Sequence, residues 1–121
     1  MMSYDPSNVF ARILRGELPC KKIAEDEHTL AFEDINPQAP VHILVIPKGS
    51  YVDWSDFTIN ASKVEHSALT KMIGHVAKLT GINSSGYRII SNNGNDGHQE
   101  VPHLHMHVLG GSAVGPMVTQ H

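Results

Sequence analysis

His103-Leu104-His105-Met106-His107-Val108-Leu109 alternates polar and apolar side chains through its first six residues. A strand turns successive side chains to opposite faces. The run therefore predicts a β-strand over 103–109, with three imidazoles on one face and Leu104, Met106 and Val108 turned to the core. Alternate residues on a strand stand about 6.8 Å apart, close enough for the rings to share hydrogen bonds or to converge on one tetrahedral anion. Nine histidines occur in 121 residues and four fall within 98–107, so candidate chemistry is concentrated here. Upstream, residues 92–102 are polar and contain Gly94 and Gly97, which predicts an ordered loop able to aim backbone N–H groups at phosphate oxygens. Gly110-Gly111 ends the strand.

Outward from this segment, residues 87–91 predict another strand, reached through a loop at 83–86. A β-branched run over 41–46, stopped by Pro47, predicts a central strand. Residues 22–26 and 29–34 predict a hairpin turning at Glu27-His28. Pro6-Ser7-Asn8 supplies a cap for a short amphipathic helix carrying Val9, Phe10, Ile13 and Leu14, ended by Gly16 and Pro19. A long helix opens at Ser62. Its expected stripe is Val64, Ala68, Leu69, Met72, Ile73, Val76 and Leu79, and Gly81 fits its C-terminal cap. Residues 51–60 are mixed in pattern, with Trp54 and Phe57 as expected packing anchors. With no internal repeat or heptad run, the chain reads as α+β and as one domain over 1–121, with a tail from 112 to 121.

Composition narrows the function classes. Nine Lys and Arg against twelve Asp and Glu give a net charge of −3, which removes the electrostatic case for duplex DNA. The longest apolar run, around 41–46, is interrupted by His42 and falls far short of the roughly 18 residues a membrane span requires. The N-terminal residues lack the basic and apolar regions of a signal peptide. The lone Cys20 cannot form an internal disulfide, so a reducing compartment is expected. Together these predict a soluble, cytoplasmic protein with no nucleic-acid or membrane partner.

The alternating histidines admit three readings. They could be satisfied polar groups on an exposed strand face. They could be metal ligands, because neutral imidazole binds zinc and His-x-His on a strand presents two donors. They could carry phosphoryl or nucleotidyl transfer, with adjoining imidazoles attacking and protonating beside a phosphate loop and no metal required.

The residues themselves resemble a known pattern. His103 to Leu109 is similar to the His-φ-His-φ-His-φ-φ signature of the histidine triad family of nucleotide hydrolases and transferases. Phe32-Glu33-Asp34-Ile35-Asn36-Pro37-Gln38-Ala39-Pro40-Val41-His42 resembles a second stretch of that family, and Asn92, Gly94, Gly97 and Gln99 resemble its phosphate loop. Gly110-Gly111 and Gly115-Pro116-Met117 point to the Hint branch. The resemblance implies a HIT-like fold: a five-stranded antiparallel sheet with one long and one short helix, in a homodimer that binds a purine nucleoside monophosphate. It implies hydrolysis of purine nucleoside 5′-phosphoramidates without a cofactor, the alternative being a nucleotide-binding scaffold or regulatory protein with little turnover. By the same resemblance His105 is the nucleophile, His107 contacts phosphate and the departing group, and His103 and His42 complete the network. Asp34 and Ile35 would meet the ribose, and Phe10, Ile13 and Phe32 the base. Asn92, His98, Gln99, Glu100 and Val101 would hold the phosphate.

Four positions depart from the family pattern. His98 stands where glycine is common, Glu100 where some relatives carry serine, Pro102 where an aromatic is frequent, and Ser112 where arginine is frequent. These bear on leaving-group preference. His28, His66, His75 and His121 are expected to be surface, packing or terminal residues.

Overall fold

The computed structural model describes residues 3–118. Helix α1 (Val9–Leu14) begins where the Asn8 side chain accepts a hydrogen bond from the Ala11 N–H. The chain leaves the helix through Gly16, whose φ of +77° is the left-handed conformation glycine adopts without strain. Strands β1 (Lys22–Glu25) and β2 (Thr29–Glu33) form the expected hairpin. Asp26 fixes its turn by accepting from the backbone of His28 and Thr29 and from the Thr29 hydroxyl. Strand β3 (Val41–Pro47) follows, then helices α2 (Trp54–Asn60), α3 (Lys63–Leu79) and α4 (Ile82–Ser85), and strands β4 (Tyr87–Ile90) and β5 (Met106–Gly110).

All five strands are antiparallel to their neighbours, in the order β1-β2-β3-β5-β4, so β3 is central as predicted. The last strand inserts between β3 and β4, and His107 is thereby paired with Leu44 on one side and Ile90 on the other. Period two along the strands divides the core. On one face Ile43, Val45, Leu104, Met106 and Val108 pack with Phe57 and with Leu69, Met72 and Val76 of α3. On the other face Leu30, Phe32, Leu44 and Ile46 pack beneath Phe10 of α1.

Three features differ from the sequence expectation. The expected long and short helices are present as α3 and α1, and α2 and α4 add two further short ones among the described residues. Helix α2 is capped by Asp53, whose side chain accepts from the Asp56 N–H, and it buries Phe57 while Trp54 stays 40% exposed. The buried stripe of α3 is Leu69, Met72, Ile73, Val76 and Ala77. Val64 and Leu79, in the first and last turns, project into solvent instead. Finally, β5 begins at Met106, so His103 to His105 precede the ladder. There the Leu104 N–H donates to the Tyr51 carbonyl at 2.8 Å, beyond the end of β3. Among the described residues no helix is long and apolar enough to cross a membrane. His121 and the end of the tail lie outside the described residues.

Candidate active site

The three histidines remain on one side of the chain even though only His107 belongs to β5. They are not satisfied surface groups. His103 is fully buried and His105 is 6% exposed, both against Phe10, whose ring meets His105 edge-on at 5.0 Å. His42 enters from β3 and lies next to His107, with ring centroids 5.1 Å apart.

The hydrogen-bond partners of these rings fix where their protons sit. The Nδ1 of His105 lies 2.8 Å from the His103 carbonyl oxygen. A carbonyl only accepts, so Nδ1 carries the hydrogen and Nε2 of the neutral ring keeps its lone pair. The Nδ1 of His42 accepts from the Gln38 backbone N–H at 3.0 Å, which leaves the hydrogen of the neutral ring on Nε2. That Nε2–H donates to His107 Nδ1 at 2.8 Å, and His107 in turn must carry its own hydrogen on Nε2. One free lone pair on His105 and one N–H on His107 therefore stand side by side, in rings 5.0 Å apart. Such a pair can attack an electrophilic phosphorus and donate to an oxygen or nitrogen bonded to it.

Burial is the main cause that keeps the cluster neutral. It pushes His103 and His107 down to about 4 and lowers His42 and His105 from their ordinary values. Repulsion from His105 and then His42 adds to the effect on His107, while the Asp34 carboxylate works against it. Like-charge repulsion between the histidines is thus secondary to desolvation. Asp34 sits with Oδ2 3.3 Å from His42 Nε2 and Oδ1 accepting from the Asn36 N–H.

The metal reading fares differently for different residues. Both ring nitrogens of His103 are occupied, Nε2 by the Pro47 carbonyl at 2.9 Å and Nδ1 by the Tyr4 hydroxyl at 2.7 Å. The three triad rings consequently do not present a common ligand set. Among the described residues, donor atoms of Asp34, His42 and His107 do lie within 4.8 Å of one another.

The other expected contacts are distributed around this cluster. Phe10 and Phe32 meet edge-to-face at 5.6 Å, with Ile13 and Val101 half-buried against them. Ile35 is fully exposed beside Asp34. Asn92 is half-buried at the start of the loop, and Nε2 of His98 lies 3.3 Å from Oε1 of Glu100, both side chains exposed. His98 has φ of +60°, the sole positive value for a non-glycine residue among those described. The Gln99 side chain braces the loop. Its Oε1 accepts from the Gly94 N–H, and its Nε2 donates to the carbonyls of Val52 and Val101.

Several contributors have no signal in the sequence pattern: Tyr4, the Gln38 N–H, the Pro47 carbonyl, and Ser91, whose hydroxyl donates to the His105 carbonyl at 3.1 Å. Asn93 is another. Its side chain accepts from the Ser55 N–H and ties the loop to the first turn of α2.

Residues 15–114 match the HIT domain family. The chain is 61% identical over 118 residues to a 13.2 kDa HIT-like protein of Azospirillum brasilense, covering 98% of this chain and 97% of that one. It is 44% identical over 114 residues to the purine nucleoside phosphoramidase of Escherichia coli, covering 91% and 92%. Among solved structures, a HIT family hydrolase from Legionella pneumophila superposes with a TM-score of 0.81 at 37% identity, covering 87% of this chain and 93% of that one. The alternating histidines, the five-stranded sheet and these matches together make the chain a member of the HIT domain family.

Proposed function

We propose that this protein is a hydrolase that cleaves the P–N bond of purine nucleoside 5′-phosphoramidates, giving nucleoside monophosphate and an amine through a nucleotidyl group carried on His105. The observation that carries this reading is the bond from His105 Nδ1–H to the His103 carbonyl, which leaves Nε2 as a neutral nucleophile. The name of the 44% identical Escherichia coli relative supports the substrate class.

In the first step, Nε2 of His105 bonds to the α-phosphorus as the phosphorus–nitrogen bond breaks. The departing nitrogen needs a proton, because an amide anion is a very poor leaving group. The negative charge of the bound phosphate favours one added proton on the Asp34–His42–His107 chain. His107 Nε2–H delivers that proton to the amine. Water then attacks phosphorus, its proton returns to the chain, and His105 leaves as neutral imidazole. The step splits one difficult displacement into two and requires neither metal nor cofactor.

Binding roles follow the same reading. Phe10, Ile13 and Phe32 would enclose the purine, and Asp34 and Ile35 the ribose. Asn92 and residues 98–101 would border the phosphate, with the Gln99 side chain bracing the loop rather than meeting the ligand. The protein would work in the cytoplasm as a homodimer, for which the outer strand β4, with Ile89 48% exposed, offers an unpaired edge. Sedimentation at micromolar concentration tests the dimer.

The deciding experiment is mass spectrometry of protein quenched during turnover of adenosine 5′-phosphoramidate. A nucleotidyl mass on the peptide holding residues 103–107, absent in His105→Ala, is the expected result. Release of AMP with no adduct, and an undiminished rate in the variant, would overturn the assignment.

A further inference from the structure

The nucleophile's main chain lies outside the sheet ladder, since β5 starts only at Met106. Something else must hold residues 103–105 to the fraction of an ångström that in-line attack requires. Two of their groups are tied directly: the Leu104 N–H to the Tyr51 carbonyl and the His105 carbonyl to the Ser91 hydroxyl. The third tie is the His103 ring. It is fully buried and bridges two distant parts of the chain, because Nε2–H donates to the Pro47 carbonyl and Nδ1 accepts from the Tyr4 hydroxyl.

Tyr4 reaches that nitrogen from a segment that is itself clamped. Asp5 accepts from the Ser7 N–H and hydroxyl, the Asn8 side chain donates to the Asp5 carbonyl, and Arg15 donates to the Pro6 carbonyl. These bonds anchor the segment onto α1, and the Tyr4 ring meets His103 edge-on at 5.6 Å. Tyr4 also lies ahead of the residues that match the family, 15–114.

We propose that Tyr4 is a positioning residue for the nucleophile: its hydroxyl, by holding the His103 ring, fixes the carbonyl that orients His105. The inference rests on the reading of His105 as nucleophile. The geometry gives the hydroxyl a role distinct from packing. With Nε2 of His103 committed to a carbonyl, only a donor can satisfy Nδ1, and a buried acceptor left empty forces the ring to move or to admit water. Either change shifts the His103 backbone and loosens the bond to His105 Nδ1.

The test uses Tyr4→Phe, which keeps the ring and removes only the donor, with Tyr4→Leu as a second variant that removes the packing as well. For adenosine 5′-phosphoramidate well below the melting temperature, kcat of Tyr4→Phe is expected to fall about tenfold with KM within about twofold of parental. A packing role would lower the melting temperature of Tyr4→Leu yet leave kcat of folded Tyr4→Phe at the parental value, and that result overturns the proposal. Nitrogen-15 NMR of the imidazoles reads the same idea without turnover. Parental His105 should be a single species protonated at Nδ1, and Tyr4→Phe should show mixed tautomers or exchange broadening. An unchanged His105 spectrum also overturns it. A parental protein that releases no AMP counts against the hydrolase reading, and the spectra then decide the role of Tyr4 independently.

Discussion

His42 and His107 meet across adjacent strands, with Nε2 of one 2.8 Å from Nδ1 of the other. Because the Gln38 N–H occupies the far nitrogen of His42, this single contact determines which edge of His107 presents a hydrogen to the open side of the site. A backbone amide four residues away thus sets which ring nitrogens of the pair carry hydrogen.

If His107 protonates the leaving group, its loss should matter most when the amine leaves poorly. His107→Ala should slow hydrolysis of an alkylamine phosphoramidate by roughly 10²–10⁴-fold, the range typical of general acids, and that of a weakly basic aromatic amine much less. Equal losses with both substrates would remove His107 from that role. Rates measured across a series of leaving-group basicities give the answer.

Binding of AMP should take up a proton. In the free protein His107 is pushed down to about 4, chiefly by burial, and a phosphate anion beside the chain raises its proton affinity. Calorimetry near pH 6 in buffers of different ionisation enthalpy should show net uptake, and affinity should rise as pH falls from 7 to 5.5. Affinity independent of pH would argue against the protonated chain.

Stability should respond to pH in a window set by the histidines. Unfolded imidazoles titrate near 6.5, while folded His103 and His107 titrate near 4. Between those values the unfolded chain binds more protons, so stability falls as pH drops from about 6.5 toward 4 and is regained on returning to neutrality. For the fully buried His103 the loss is on the order of 3 kcal/mol, at about 1.4 kcal/mol per pKa unit. Urea midpoints at pH 7 and pH 5 should differ accordingly, and less so in a His103→Gln variant.

Gly97 should be intolerant of a side chain where Gly94 is tolerant. A Cβ at Gly97 would stand 2.6 Å from the Asn93 carbonyl oxygen and 2.8 Å from its nitrogen, both backbone, whereas one at Gly94 meets nothing within 4 Å. Gly97→Ala must therefore open the loop, and nucleotide affinity should fall about tenfold. Gly94→Asn faces only the left-handed φ of +72°, which asparagine adopts at small cost. Titration of both variants with AMP separates the two.

The parts legible in the sequence were those with a period. Alternation located the face shared by His103, His105 and His107, and β-branched density located β3. Helix α2 had a local signal that the mixed pattern of residues 51–60 obscured: Asp53 followed three residues later by Asp56, the side chain of the first capping the N–H of the second. Tyr4 had none. It is separated from His103 by 99 residues and sits in a polar stretch, so only the folded chain brings them together. Gln99 illustrates another case. The family resemblance implies a place for it at the phosphate, and in the fold its side-chain amide bonds Gly94, Val52 and Val101. A motif match does not tell a side chain that faces a ligand from one that shapes the loop around it.

The period-two division of the core means that neighbouring positions in one short segment answer to different selective pressures. His103, His105 and His107 lie on the side of Phe10 and His42, the proposed catalytic side, while Leu104, Met106 and Val108 belong to the cluster beneath α3. A saturation scan through 103–108, scored in parallel for abundance and for turnover, should consequently oscillate. Odd positions would yield plentiful but inert protein and even positions scarce but competent protein, with fully buried His103 the one site marked in both channels.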